Sequence, residues 1–367
     1  MESGLPLCVV GAGPCGSAAA LALCRAGFRN VKLIEKKPWP RQKTCAGGLG
    51  PRAREWLGRQ GLLADVERLA SRISSLHFTA PSGKSSRLVS PRDMALVVPR
   101  DRFDDFMVQR AVAAGARFFP SVKVAAITRE KNGAVLSTAG GDIEAAAVVV
   151  AAGAVNNIRG VTAPAGPVLD SIMARYADFP HSPFEMEMIF SRELSPFYAW
   201  VFPEPGGRVN IGLMARKQRA EQSLHDVFDG VLERHFASRL TNAKQVGRRT
   251  GAPVRCAGGV GRVVDGCVLL AGESAGIVHG ATGEGISYAL ESGEIAGRAV
   301  AAAAQGGGID HKLLLRYRAA LRRRFSLTLR AGAAFNGFIG SPLFAPAADL
   351  GTLPAMQRFS AFVLAKV

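Results

Sequence analysis

Residues 5–36, LPLCVVGAGPCGSAAALALCRAGFRNVKLIEK, carry the pattern that decides the fold. The apolar run Leu7–Val10 is typical of a buried parallel strand, and the alanine-rich segment that follows is typical of a helix, which Gly27 ends. A second apolar run ends at Glu35. Between the first strand and the helix lie three glycines in the order G-x-G-x-x-G. Together these features predict a strand–helix–strand unit that binds a dinucleotide.

Each residue type in this unit has a physical reason to be there. Gly11 permits the tight turn, Gly13 lets the backbone approach a diphosphate, and Gly16 lets the helix pack closely on the strand. The positive end of the helix dipole then faces the phosphates. Glu35 follows at about the spacing where a carboxylate accepts hydrogen bonds from the adenosine ribose. We therefore predict cofactor contacts from Gly11, Gly13, Pro14, Gly16, Glu35 and Lys36.

The composition is that of a globular protein with a basic surface. The chain has 367 residues, 48% of them hydrophobic, which is enough for two domains. Its 46 lysines and arginines outnumber 29 acidic residues, and the net charge of +17 suggests an acidic partner or a solvated basic surface. The arginines are spread along the chain, and the densest run is RRR at 322–324, so we expect no specific nucleic-acid partner.

The cysteine and hydropathy patterns indicate a cytoplasmic protein. The six cysteines show neither a CxxC pair nor a disulfide framework, so we expect reduced thiols. We expect no signal peptide, and no apolar run approaches the ~20 residues that span a bilayer. The basic and then apolar tail could rest on the inner face of a membrane. The histidines show no metal-ligand spacing, and we expect a monomer or a loose dimer.

Three further segments indicate which dinucleotide is bound. Residues 148–160, VVVAAGAVNNIRG, form an apolar strand, and residues 268–298 form a strand, a glycine-rich loop and a helix. Residues 97–119 predict an amphipathic helix. This order resembles the FAD-binding fold of aromatic hydroxylases and related monooxygenases and reductases. The resemblance implies FAD, with contacts from Arg100, Val124, Gly153, Gly272, Glu273, Gly283, Gly285 and Ile286.

Two positions depart from the usual pattern of that fold. The middle motif usually carries Asp-Gly where this chain has Ala152-Gly153, and the third usually carries Gly-Asp where it has Gly272-Glu273. Glu273 keeps the charge on a longer side chain, whereas Ala152 loses a polar contact. In this fold the carboxylate of the third motif binds the ribityl chain, and the next helix points its N-terminus at the flavin. We expect FAD to bind despite both changes.

Three motifs resemble the geranylgeranyl reductase family within that fold. They are KTCAGGLGPRA at 43–53, SPFYAWVFP at 195–203 and ATGEGISYALESG at 281–293. The resemblance runs from position 7 to about position 300, and the aromatic motif is its most specific part. It implies an enzyme that saturates isolated C=C bonds of polyprenyl chains by hydride transfer from reduced FAD. Cys45 falls at the family's cysteine, and the family's loop implies cofactor contacts from Cys45, Ala46 and Gly47.

The segment YAWVF within SPFYAWVFP has its own physical interpretation. Its three aromatic residues alternate, so they share one face of a strand, and VNIGLMA at 209–215 predicts the partner strand of a hairpin. Such rings either pack the sheet against a helix or form the floor of a cavity for an apolar chain. The cavity interpretation predicts substrate contacts from Tyr198, Trp200, Phe202 and Pro203.

Cys45 also allows two interpretations. It is either a small residue tolerated in a glycine-rich loop or a group that positions substrate or donates a proton opposite the hydride. With the functional interpretation, the predicted catalytic residues are Cys45, Tyr198 and Trp200.

The complete sequence predicts an α/β fold with a discontinuous Rossmann-type FAD domain, an inserted antiparallel-sheet substrate domain and a C-terminal helical tail. The reductant is expected to be NAD(P)H or another electron donor. The alternatives are a flavin monooxygenase or halogenase of an aromatic or other small apolar substrate, and a flavin- or lipid-binding protein without activity. The predicted boundaries are 1–75, 97–160 and 258–305 for the FAD domain, 76–96 and 161–257 for the substrate domain, and 306–367 for the tail.

Overall fold

The computed structural model describes residues 4–216, 223–306 and 308–352, which form two compact units. Each unit is assembled from separate stretches of the chain, as the interrupted motifs predict. Unit 1 comprises Met1–Gln42, Asp101–Pro167 and Arg255–Gly332, and unit 2 comprises Lys43–Arg100, Val168–Val254 and Ala333–Val367.

The elements within the described ranges are as follows. The strands are β1 (Leu7–Val10), β2 (Val31–Ile34), β3 (Gly48–Leu49), β4 (Ser71–Ile73), β5 (Ser75–Thr79), β6 (Ser85–Val89), β7 (Ala95–Val97), β8 (Arg117–Phe119), β9 (Val124–Glu130), β10 (Gly133–Thr138), β11 (Gly141–Ala145), β12 (Ala147–Val150), β13 (Val168–Ala177), β14 (Glu185–Phe190), β15 (Tyr198–Glu204), β16 (Arg208–Arg216), β17 (Lys244–Arg255), β18 (Val264–Asp265) and β19 (Val268–Leu270). The helices are α1 (Pro14–Arg25), α2 (Pro51–Arg59), α3 (Leu63–Glu67), α4 (Arg100–Ala113), α5 (Leu224–Leu240), α6 (Ile286–Ala304), α7 (His311–Ile339) and α8 (Phe344–Gly351).

Unit 1 is built on a six-stranded sheet in the order β18-β19-β12-β1-β2-β8. The pairs β19–β12, β12–β1, β1–β2 and β2–β8 are parallel, and β18 adds an antiparallel edge. Strands β1 and β12 are buried along their whole length, which explains why both read as unbroken apolar runs. A separate antiparallel sheet contains β9, β10 and β11. This architecture confirms the predicted Rossmann-type domain.

Three glycines allow the backbone of α1 to contact the backbone of its neighbours directly. A Cβ atom added to Gly16 would lie 1.8 Å from the carbonyl oxygen of Gly11. Cβ atoms on Gly293 and Gly297 of α6 would lie 2.1 Å and 2.5 Å from carbonyl oxygens of α1. No side chain larger than hydrogen fits at these contacts without a backbone shift. The glycines therefore hold the start of α1 at the end of β1, where the cofactor motif lies.

Unit 2 contains a seven-stranded sheet in the order β17-β13-β16-β15-β14-β5-β6. Strands β15 and β16 form the predicted antiparallel hairpin. Ala199 and Val201 on one face of β15 join a hydrophobic core with Phe228 and Phe236 of α5. The aromatic residues of β15 alternate with these two residues and lie on the other face. A small sheet in the order β3-β7-β4 completes the unit.

The two largest differences between the units and the predicted boundaries concern residues 43–75 and the tail. Residues 43–75 belong to unit 2, because β3 and β4 pair with β7, and β5 pairs with β14. The predicted tail is divided, because α7 belongs to unit 1 as far as Gly332. Residue 307 and residues 353–367 of that tail lie outside the described residues. Over the described ranges, no helix has the length and apolarity that crossing a bilayer requires.

The glycine contact between α1 and α6 gives a testable stability difference. We expect Gly293→Ala to lower the free energy of unfolding by about 1–3 kcal/mol, because the added Cβ overlaps the Cys15 carbonyl. Gly58→Ala is the matched control: Gly58 is also within a helix, but its Cβ would meet no atom within 4 Å. We expect Gly58→Ala to raise the free energy of unfolding by roughly 0.5–1 kcal/mol, because alanine favours a helix more than glycine does. Urea denaturation measures the free energy of unfolding of both variants. Equal changes in the two variants would contradict a packing role for Gly293.

Candidate active site

The start of α1 presents backbone donors that lack acceptors. Gly13 is the N-cap residue, and no side chain caps the helix. The N–H groups of Cys15 and Gly16 are buried and donate to no acceptor among the described residues. Buried helix-start donors normally need a partner, and an anion supplies one. Gly11 and Gly16 make the close approach possible, since a Cβ on Gly11 would lie 2.3 Å from the Ala151 carbonyl oxygen.

Glu35 lies beside this turn and is almost fully buried. Its carboxylate accepts the Ala12 N–H at 3.1 Å and the Lys37 N–H at 3.0 Å. Arg41 Nε lies 3.4 Å from the same carboxylate, and its Nη1 lies 3.1 Å from Asp104. The sequence motifs did not indicate Arg41, because its partner Asp104 lies far away along the chain. Lys36, a predicted cofactor contact, is exposed.

The second and third motifs meet at the ends of β12 and β19. The Gly272 N–H donates to Ser292 Oγ at 3.0 Å, and the Ser274 hydroxyl donates to the Gly153 carbonyl at 3.1 Å. Glu273 accepts the Arg255 N–H at 3.2 Å. A Cβ on Gly153 would lie 3.7 Å from that carboxylate. The structure therefore brings Gly153 and Glu273 together, as their adjacent parallel strands require.

The remaining predicted cofactor residues start other elements of the fold. Gly285 is the N-cap of α6 without a side-chain cap, and Ile286 is its first residue. Gly283 lies in the loop just before them. Arg100 and Val124 are buried at the starts of α4 and β9.

These residues fit FAD. Cys15 and Gly16 offer unpaired donors for a diphosphate, and Glu35 and Glu273 each have lone pairs left for hydroxyl groups. The open N-terminus of α6 adds a positive dipole end. Glu273, the longer acid of the third motif, still places its carboxylate beside Gly153.

The Cys45 loop is held by contacts within unit 2. The Cys45 N–H donates to Met173 Sδ at 3.3 Å, and the Gly47 N–H donates to Cys45 Sγ at 3.4 Å. Gly47 has φ of +78°, and a Cβ there would lie 2.2 Å from the Val98 carbonyl oxygen. Glycine is therefore required at this position. Ala46, between these two residues, is half-buried.

The aromatic residues of β15 form the predicted single row. Ring centroids lie 6.3 Å apart for Tyr198 and Trp200, and 6.4 Å apart for Trp200 and Phe202. The three side chains are only 6%, 5% and 8% exposed, and Pro203 is also buried. Phe202 packs beside Gly48, whose added Cβ would lie 3.1 Å from the ring. The ring row is therefore almost inaccessible to solvent in this structure.

A buried polar network, which the sequence motifs did not reveal, connects this row to the Cys45 loop. Trp200 Nε1 donates to Asn210 Oδ1 at 2.9 Å, and Asn210 Nδ2 lies 3.2 Å from the Cys45 carbonyl oxygen. Glu204 accepts from Asn210 at 3.4 Å and pairs with Arg175 at 2.8 Å. Asn210 is fully buried. An asparagine within the apolar strand VNIGLMA was the available signal, since buried amides need partners.

Three comparisons with known proteins bear on this site. A family described as FAD binding domain matches residues 5–159. A menaquinone reductase of Mycolicibacterium smegmatis is 30% identical over 81% of this chain and 76% of its own length. A digeranylgeranylglycerophospholipid reductase of Methanopyrus kandleri is 31% identical over 88% of this chain and 83% of its own.

The chain belongs to the geranylgeranyl reductase family of FAD-dependent oxidoreductases. A solved geranylgeranyl bacteriochlorophyll reductase-like protein from Thermoplasma acidophilum has the same fold, with a TM-score of 0.85. It is 21% identical and covers 98% of this chain and 94% of its own. The cofactor of this family member is therefore FAD, and the roles of the individual site residues stay predictions.

The cysteines of this family member differ in environment. Burial raises the pKa of the Cys8, Cys15 and Cys256 thiols to about 12, and that of Cys24 to about 11. Cys45 is less buried than these.

This difference predicts selective labelling. Because the thiolate is the reactive form, iodoacetamide at about pH 8 should alkylate Cys45 in the native protein and the other five cysteines only after unfolding. Peptide mass spectrometry measures the labelled fraction, with Cys45→Ser as the control. Equal labelling of Cys15 or Cys256 in native protein would contradict the described burial.

Proposed function

We propose that this protein reduces isolated C=C bonds of a polyprenyl chain. FAD, when bound and reduced, supplies the hydride. Two relatives support this proposal: one is a menaquinone reductase, and the other is a digeranylgeranylglycerophospholipid reductase. The observation that carries the proposal is the aromatic row of β15 joined through Asn210 to the Cys45 loop.

In this proposal the aromatic row binds the apolar chain. Tyr198, Trp200 and Phe202 supply large apolar surfaces on one side of a rigid central strand. Their burial keeps water away from the alkene, which has no polar group to hold it. Burial of the apolar chain itself removes apolar surface from water and favours binding.

Cys45 is proposed as the proton donor. The hydride adds to one alkene carbon and a proton must add to the other, so the reaction requires an acid. The Gly47 N–H donates to Cys45 Sγ and fixes the sulfur, while Asn210 holds the backbone of the same residue. Asn210 is a positioning residue in this proposal, since it acts through Cys45 and Trp200. The reductant is proposed to be NAD(P)H or another electron donor.

We include contact with an anionic membrane surface in this proposal. Helix α7 contains no acidic residue, and Leu315 and Leu327 are 65% and 83% exposed on it. Exposed Arg316 and Arg323 lie on the same helix. Such a helix suits a surface that carries prenyl lipids.

The direct test combines product analysis with two cysteine variants. FAD-loaded protein reduced with dithionite should convert geranylgeranyl diphosphate or a geranylgeranylated glycerophospholipid to products that gain H₂ for each reduced bond. We expect Cys45→Ala to lower the rate of alkene reduction roughly a hundredfold, which is a typical contribution of a positioned general acid. Cys24→Ala, which removes a buried thiol near the end of α1, should leave the rate unchanged.

Mass spectrometry of the extracted lipid gives the result. No mass gain with any prenyl substrate, although the flavin is bound and reduced, would contradict the proposed function. Oxygen-dependent formation of a hydroxylated or halogenated aromatic product would support the monooxygenase or halogenase alternative instead. Equal loss in both cysteine variants would remove Cys45 from the mechanism.

A further inference from the structure

A cleft of about 820 Å³ lies in unit 1 beside β18 and β19. Its walls are residues 161–165, the glycine-rich loop 257–262 and one side of α7. None of the predicted FAD contacts lines it, so it is distinct from the cofactor site. Its volume is in the range of small-molecule sites.

Helix α7 contributes two unpaired arginines to this cleft. Arg322, Ser326 and Arg330 follow one another at intervals of four residues, so they lie along one side of the helix. Arg322 and Arg330 are exposed and form no ion pair or hydrogen bond with any described residue. Two guanidinium groups are therefore available to an incoming anion.

A second pair of arginines and one acid also line the cleft. Asp265 lies 2.5 Å from Arg129 Nη2 and 3.2 Å from Arg262 Nη2. Its negative charge is thus already compensated by these two partners. Four arginines against one aspartate leave the cleft strongly positive.

The glycine-rich loop adds backbone donors. The N–H groups of residues 258–262 donate no hydrogen bond to any acceptor in the described part of the chain. Gly258 has φ of +66°, and a Cβ on Gly259 would meet no atom within 4 Å. Successive free N–H groups around a left-handed residue form a concavity that suits an anion. Arg318 Nε donates to the Gly261 carbonyl at 3.0 Å and ties the loop to α7.

We propose that this cleft binds the diphosphate group of an organic diphosphate ester. Guanidinium groups and loop N–H donors are the groups that recognise phosphoryl oxygens. A single carboxylate would leave most of these donors unused, and the cleft has room for the organic part of the ligand. Prenyl diphosphates and nicotinamide dinucleotides both carry this group. The inference stands independently of the proposed reaction, because it concerns binding alone.

The test is calorimetric titration of the FAD-loaded full chain with inorganic pyrophosphate, since bound FAD occupies the glycine motif. The double variant Arg322→Gln with Arg330→Gln should weaken binding about tenfold or more, as expected for losing charge-assisted hydrogen bonds. The matched control is Arg316→Gln with Arg323→Gln, which removes the same charge from α7 outside the cleft. It should change the affinity less than twofold, roughly.

Competition then identifies the source of the diphosphate. Displacement of pyrophosphate by geranyl diphosphate or by NADP⁺ would support the proposal and show which ester the cleft takes. Absence of saturable pyrophosphate binding, equal weakening in both double variants, or failure of both esters to compete would overturn it. Binding of anionic phospholipid vesicles that is lost in the cleft variant, without pyrophosphate binding, would overturn it in favour of a membrane contact.

Discussion

The contact between backbone atoms of α1 and its glycine neighbours is the constraint on which the cofactor site depends. Gly16 lets α1 meet the turn after β1, and Gly293 and Gly297 let α6 pack against α1 at the same close distance. The helix therefore starts where the buried N–H groups of Cys15 and Gly16 have no acceptor among the described residues. We expect the diphosphate of FAD to satisfy these donors, so the same glycines would serve both helix packing and cofactor binding.

A second constraint operates in unit 2, where a fully buried asparagine connects three parts of the chain. Asn210 joins the Trp200 indole, the Glu204 carboxylate and the Cys45 carbonyl. Each of these groups would be costly to bury without its partner. The network thus fixes the loop that carries the candidate proton donor to the strand that carries the candidate substrate surface. Loss of the asparagine would disturb both features together.

Local patterns in the sequence predicted much of this fold. The first strand–helix–strand unit, helix α4 and the β15–β16 hairpin follow from apolar periodicity, glycine spacing and turn residues. The Asn210–Cys45 and Arg41–Asp104 contacts join residues that are distant in sequence, so local patterns do not indicate these partners. The assignment of residues 43–75 to unit 2 depends on strands of two to five residues pairing with distant partners. Alternation predicted three rings on one face of β15, but it could not predict their near-complete burial, which depends on tertiary packing.

The central claim is that the reduced flavin passes its hydride to an isolated alkene. The most direct measurement is the visible absorbance of the bound flavin after anaerobic mixing of the reduced protein with a geranylgeranyl substrate. We predict that the absorbance of oxidised flavin returns without oxygen, at a rate that depends on substrate concentration, with one alkene lost per flavin oxidised. Flavin that stays reduced until oxygen is admitted would contradict it.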